Sequence, residues 1–235
     1  ARGRDPDGDR CGDEVSDKKE LIKHEVMEDM RVYQASTRIF KFFLFLWHRL
    51  RIRGAENIPD RGGVLIASNH ASYLDPPVVG VGYRGRPVHF LARDTLWNSK
   101  FGSWWMDHVG CIPVSRGTGD IKALKLTIKA LKEGQAVSMF PEGTRTEDGE
   151  LQEAKGGIGF IIEKSGCVVV PAYIDGSFKA HPKGTKFIKP CKVTITYGKP
   201  ITQEDFQALG SGRDAYDAHA ALIMQRIAEL KKVGY

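Results

Sequence analysis

A histidine and an aspartate five residues apart, His70 and Asp75, stand in the stretch Ser68-Asn69-His70-Ala71-Ser72-Tyr73-Leu74-Asp75-Pro76, directly after the apolar run Val64-Leu65-Ile66-Ala67. If that run is a strand, His70 sits where it ends and a loop or helix begins, a position at which α/β folds carry reactive groups. A turn leading into a helix folds the carboxylate back towards one ring nitrogen. The carboxylate then fixes the tautomer and stabilises the imidazolium, leaving the other nitrogen free to take a proton. Such a pair is a base with no nucleophile of its own. It suffices for acyl transfer from a thioester to an alcohol, because the thiolate leaves readily and the alcohol attacks directly. Taken alone, an HxxxxD spacing more often describes a structural histidine beside a helix-capping aspartate.

A second constellation, Phe140-Pro141-Glu142-Gly143-Thr144-Arg145, follows the apolar run Ala136-Val137-Ser138-Met139. A strand that stops at proline and passes through glycine into a polar loop presents backbone donors, a hydroxyl and a guanidinium together. Arg145 can grip a phosphate bidentately. Glu142 makes a poor phosphate ligand by itself; it can hold arginines in place or bind an acceptor hydroxyl, and its plainest alternative is a surface ion pair. A third block, Gly110-Cys111-Ile112-Pro113-Val114-Ser115-Arg116-Gly117, again runs from strand to polar exit, and convergence of Arg116 with Arg145 would make a fork for a phosphomonoester. The fourth, Val168-Val169-Val170-Pro171-Ala172-Tyr173, is a buried or edge strand broken by Pro171.

The elements that must position these residues alternate. Predicted strands cover Leu50 to Arg53, Val64 to Ala67, Val88 to Leu91, Ile112 to Val114, Ala136 to Met139, Val168 to Tyr173 and Val193 to Tyr197, with helical patterns between several of them. This order predicts one α/β domain over residues 50–235, a mixed, mostly parallel sheet covered by helices. The clearest helix runs from Asp120 to Glu133. Ile121, Leu124, Ile128 and Leu131 form its apolar stripe, Lys122, Lys125, Lys129 and Lys132 a second stripe beside it, with Asp120 as N-cap and Gly134 just past the end. A closing helix is predicted from Arg213 to Lys232. The formal GxGxxG at Gly80 to Gly85 follows a helical pattern and precedes Pro87, so it reads as chance.

Residues 1–19 are almost all charged, Gly or Pro and predict a disordered tail. Residues 20–49 predict a helical, membrane-associating segment. Its run Ile39-Phe40-Lys41-Phe42-Phe43-Leu44-Phe45-Leu46-Trp47 is about half the roughly 20 apolar residues that a bilayer span needs. Flanking Arg38, His48, Arg49, Arg51 and Arg53 suit a helix lying among headgroups, and the rival reading is a first core helix against the sheet. Three of the four tryptophans fall in Leu96 to Met106, which fits acyl-chain or membrane-lip contact and ordinary packing equally.

Thirty-five Lys and Arg against 29 Asp and Glu give a formal charge of +6, which favours anionic partners without naming them. The four cysteines form no CxxC pair and the remaining histidines have no ligand-like spacing, so no metal site is predicted. No GxSxG elbow and no Walker lysine loop is present, which disfavours a serine esterase and a P-loop kinase.

In order and spacing the four blocks, from about Leu50 to Pro200, resemble the glycerolipid acyltransferase family, of which bacterial 1-acylglycerol-3-phosphate acyltransferases are typical. The pairing of NHASYLD with FPEGTR about seventy residues later is the specific part. The resemblance implies His70 as general base, Asp75 as its orienting partner, and Arg116, Glu142, Gly143, Thr144 and Arg145 as the acceptor's phosphate-binding residues. Ser115 departs from the family's pattern, which often has an aromatic or acidic residue before that arginine, and this weakens any claim on acceptor identity. The implied reaction moves a fatty acyl group from acyl-CoA or acyl-carrier protein, as co-substrate, to the free hydroxyl of 1-acylglycerol 3-phosphate. It implies no cofactor, a membrane lipid surface as partner, no nucleic acid, and a peripheral or monotopic place on the cytoplasmic face of the membrane. The alternatives are the same chemistry on glycerol 3-phosphate or another lysophospholipid, and a non-catalytic lipid-binding module.

Overall fold

The computed structural model describes residues 30–83, 85–115, 121–155 and 157–233. The tail over 1–19, the first part of the N-terminal segment, Asp120 and Arg116 lie outside the described residues. Among the described residues seven strands are present where seven are predicted: β1 (Arg51–Arg53), β2 (Val64–Ser68), β3 (Val88–Arg93), β4 (Ile112–Val114), β5 (Ala136–Met139), β6 (Val168–Asp175) and β7 (Thr194–Tyr197). They form one sheet in the order β1-β7-β6-β2-β5-β3-β4. Every neighbouring pair is parallel except β6 and β7, so β1 and β7 run against the other five.

The uninterrupted apolar reading of β2 has a simple cause: both of its faces are covered. Side chains alternate across a strand, so Val64 and Ile66 join one buried cluster while Leu65 and Ala67 join the other. The first cluster is closed by α1 (Met30–His48), through Leu44, Phe40 and Phe43, and by α2 (Asp75–Gly82), through Val78 and Val79. The second takes Ala130 and Leu131 of α4 (Ile121–Lys132), Ile158, Ile161 and Ile162 of α5 (Gly157–Ser165), and Ile223 and Ile227 of the closing helix Tyr216–Val233. The remaining helix of note, α3 (Lys100–His108), packs beside α1, its Trp105 indole N–H donating to Ser36 Oγ at 2.9 Å.

The predicted stripe of α4 holds for three of its four residues: Leu131 is buried and Leu124 and Ile128 pack partly buried against the second cluster, beside Ala123, Thr127 and Ala130, whereas Ile121, the helix's first residue, is 67% exposed. The greasy N-terminal run is part of one helix with a buried and an exposed side. Leu44 is fully buried in the core, whereas Ile39, Phe42 and Leu46 are about seven-tenths exposed (68%, 71% and 69%). No helix among the described residues is long and apolar enough to cross a membrane.

Candidate active site

The site is made where β2 and β5 end. These strands are parallel neighbours with Ala67 opposite Met139, so the chain segments that leave them emerge side by side at the same end of the sheet. That register brings His70 and the Phe140–Arg145 block together across 72 residues of sequence.

On the β2 side the loop is densely hydrogen-bonded. His70 Nδ1 lies 2.9 Å from Asp75 Oδ2. A carboxylate only accepts, so Nδ1 carries the proton and the lone pair is on Nε2. The same Asp75 oxygen accepts from the Ala71 and Ser72 N–H groups at 2.6 and 2.7 Å, which curls the backbone round the carboxylate. Asp75 is free for this because it opens α2 ahead of Pro76 and Pro77, which have no N–H to be capped. Its carboxylate is completely buried, while the His70 side chain keeps 18% of its surface open. Ser72 Oγ accepts from Leu74 N–H and donates to the His181 carbonyl.

The β5 side holds His70 by three further contacts. The Phe140 ring stacks on the imidazole at 4.0 Å and 12°. Glu142 Oε1 accepts from the His70 N–H at 3.1 Å, and the Thr146 N–H donates to the His70 carbonyl at 2.8 Å. Glu142 is therefore no surface ion pair; it is 1% exposed and bonded to the main chain of the histidine. Burial pushes its carboxyl up to about 7, against the pull of the His70 and Gln152 N–H groups and with a further push from the Asp75 charge. Gly143 closes the turn through its N–H to the Phe140 carbonyl at φ +69°, and a Cβ there would meet Lys155 at 3.0 Å.

Arg145 leaves this turn on the same side as His70. Its guanidinium carbon lies 3.5 Å from the ring centroid of Tyr73, three residues from the histidine. Arg145 Nη1 is buried with no hydrogen-bond partner among the described residues. Beside it is a cleft of about 410 Å³ lined by Thr144, Arg145, Glu147, Asp148, Glu150, Leu151, Gln152 and Lys183. Of the predicted site residues, His70, Asp75 and Glu142 share one bonded cluster, and Gly143, Thr144 and Arg145 form its outer wall. β4, the strand before Arg116, is at the sheet's edge with β3 between it and β5.

A model of the acyltransferase family matches residues 49–175, more than half of the chain and all of this site except part of the cleft. The chain belongs to the acyltransferase family. Among its relatives in that family, the 1-acyl-sn-glycerol-3-phosphate acyltransferase of Bacillus subtilis is 30% identical over 201 residues, 85% of this chain and 97% of that one. A chloroplastic 1-acyl-sn-glycerol-3-phosphate acyltransferase of Arabidopsis thaliana is 31% identical over 172 residues, and the match spans 46% of its length. The crystal structure of the 1-acyl-sn-glycerophosphate acyltransferase from Thermotoga maritima superposes with a TM-score of 0.69 at 26% identity, covering 91% of this chain and 83% of that one.

Sequence reasoning passed over one positioning residue of this acyltransferase. Asn69, quoted only as a neighbour of His70, makes a reciprocal pair with Ile174 of β6: its amide donates to the Ile174 carbonyl at 3.0 Å and accepts from the Ile174 N–H at 2.7 Å. A buried amide next to a reactive histidine, ahead of a turn, is the signal that could have found it.

Proposed function

We propose that this acyltransferase moves a fatty acyl group from an acyl-CoA or acyl-carrier-protein thioester to the free hydroxyl of 1-acylglycerol 3-phosphate, giving phosphatidic acid. His70 Nε2 takes the hydroxyl proton as the oxygen attacks the thioester carbonyl carbon. The tetrahedral intermediate then expels the thiolate by breaking the C–S bond, and the imidazolium returns the proton to sulfur. Asp75 orients the ring and stabilises its charged form. Arg145, seated over Tyr73 with a buried nitrogen that has no partner among the described residues, binds the acceptor phosphate together with Arg116, and Gly143 and Thr144 line its approach. Glu142 and Phe140 hold the histidine rather than the substrate. The exposed side of α1 rests on the membrane surface from which the acceptor comes.

The observation that carries this reading is the adjacency itself: a carboxylate-oriented imidazole with an open nitrogen after β2, and an arginine from the turn after β5 seated over Tyr73, three residues along from that histidine. The named relatives support the acceptor. Radiolabelled acyl transfer across a panel of 1-acylglycerol 3-phosphate, glycerol 3-phosphate and other lysophospholipids tests it, with 1-acylglycerol 3-phosphate expected fastest. A faster rate on another acceptor overturns the substrate and keeps the chemistry. Vesicle binding with no thiol release from any acyl thioester overturns the chemistry as well.

A further inference from the structure

Between Asp175 and Glu204 the chain has no acidic residue and carries Lys179, Lys183, Lys186, Lys189, Lys192 and Lys199. All but the last lie, exposed, on the excursion over residues 176–193 that joins β6 to β7. Within it Phe187 is 80% exposed and Ile188 39%. One exposed phenylalanine needs no explanation. A Phe-Ile pair bracketed by Lys186 and Lys189 does, because apolar tips flanked by amines make the composition that settles at a headgroup boundary.

The excursion is held in shape by its own bonds. The Lys189 N–H donates to the Ala180 carbonyl at 2.8 Å, closing the neck. Inside, Thr185 donates to the Pro182 carbonyl through both its N–H and its hydroxyl, and His181 Nε2 lies 3.0 Å from the Thr185 carbonyl. Phe187 is thus presented outward from a tied loop.

Its two flanks touch the two parts of the molecule that deal with lipid in the proposed function. On one side Ser72 Oγ donates to the His181 carbonyl at 2.9 Å, the Tyr73 and His181 rings lie 5.9 Å apart, and Lys183 shares the cleft wall with Arg145. On the other, His48 Nδ1 lies 3.2 Å from the Cys191 carbonyl and the Val193 N–H donates to the His48 carbonyl at 2.9 Å. His48 ends α1, whose outer side exposes Ile39, Phe42 and Leu46.

We infer that the 176–193 loop is a second membrane-docking element, in which Lys186, Lys189 and Lys192 bind anionic headgroups and Phe187 and Ile188 insert beneath them. The inference rests on the reading of the acceptor as a membrane lipid. It adds selectivity for a negatively charged bilayer, presented at the rim of the cleft. A bilayer fits better than an acidic protein such as an acyl carrier because the exposed apolar pair gains burial only where lipid chains can receive it.

Sedimentation of the full chain with phosphatidylcholine vesicles, with and without phosphatidylglycerol, tests this without any turnover. Replacing Lys186, Lys189 and Lys192 together by Gln should lower binding to the anionic vesicles on the order of 100-fold at low salt and leave binding to pure phosphatidylcholine unchanged. Phe187→Ala should weaken binding to both several-fold. Both variants should keep wild-type kcat on a short-chain 1-acylglycerol 3-phosphate dispersed as monomer, which reports that they are folded. Undiminished preference for anionic vesicles in the triple variant overturns the inference. So does intact vesicle binding combined with a raised KM for acyl-carrier-protein thioester, which would make the loop a protein-docking surface. Failure of the proposed function itself would appear separately, as wild-type protein that transfers acyl groups to no phosphorylated acceptor.

Discussion

The two chain segments that meet at the site are built to opposite standards. The one leaving β2 is dry and densely bonded, with Asn69, Ser72 and Asp75 all buried and one carboxylate oxygen serving three donors. The one leaving β5 begins just as dry at Glu142, then opens into water at Gly143 and Thr144, beside a cleft with charges of both signs. The difference follows the work proposed for each. Proton transfer demands a fixed geometry and a fixed tautomer, whereas gripping a phosphate that arrives from outside needs an open wall and a charge already in place.

That contrast can be broken most decisively at its dry half. His70→Ala should lower kcat at least about 100-fold; turnover retained in that variant would remove the histidine from the chemistry. Arg145→Ala, in the wet half, should chiefly raise the acceptor KM, by about 10- to 100-fold for a charged hydrogen bond of roughly 1.5–3 kcal/mol. An unchanged acceptor KM with a collapsed kcat would erase the division between the halves. Asn69→Ala leaves the Ile174 N–H and carbonyl unpaired in the core, and should cost about 1–3 kcal/mol of stability in denaturant unfolding. A loss no larger than a surface substitution's would show that the β2 exit is less tightly built than its bonds imply.

The smallest effect concerns Glu142, which sits at the boundary. Its folded carboxyl titrates near 7, above the ordinary value of 4.5. Between those values the folded chain holds a proton that the unfolded chain has released, so this group's contribution to stability falls as pH rises through that window and is level above it. Glu142→Gln removes the titration and keeps an oxygen for the His70 N–H. The variant should therefore gain on wild type, by on the order of a few degrees in Tm, between pH 5 and pH 8. A constant difference across that range would mean that the carboxyl titrates normally.

Much of this architecture was legible because its causes are local. β2 and β6 announce themselves by apolar runs covered on both faces, and the turn from His70 to Asp75 by its spacing and its prolines. What escaped was what depends on long-range main-chain contact. Glu142 bonds to an amide and Asn69 to the main chain of the neighbouring strand β6, 105 residues on, and backbone partners carry no residue identity to be read. In α4 apolar spacing ranked Ile121 with Leu124, Ile128 and Leu131, and did not register that it stands at the helix's first residue, where it is 67% exposed. In the N-terminal run, spacing alone did not tell the buried Leu44 from the exposed Phe42 two residues before it.

The antiparallel pairing of β6 with β7 has a consequence for how this molecule can vary. Because β7 returns alongside β6 in the opposite direction, the connection between them starts and finishes at the reacting end, with no helix to cross a face. At its exposed tip, around Phe187, residues can be added or taken away at the cost of little more than loop entropy, with every strand partner unchanged. The lip of the catalytic crevice is thereby open to redesign for a different surface while the chemistry beneath it stays as it is.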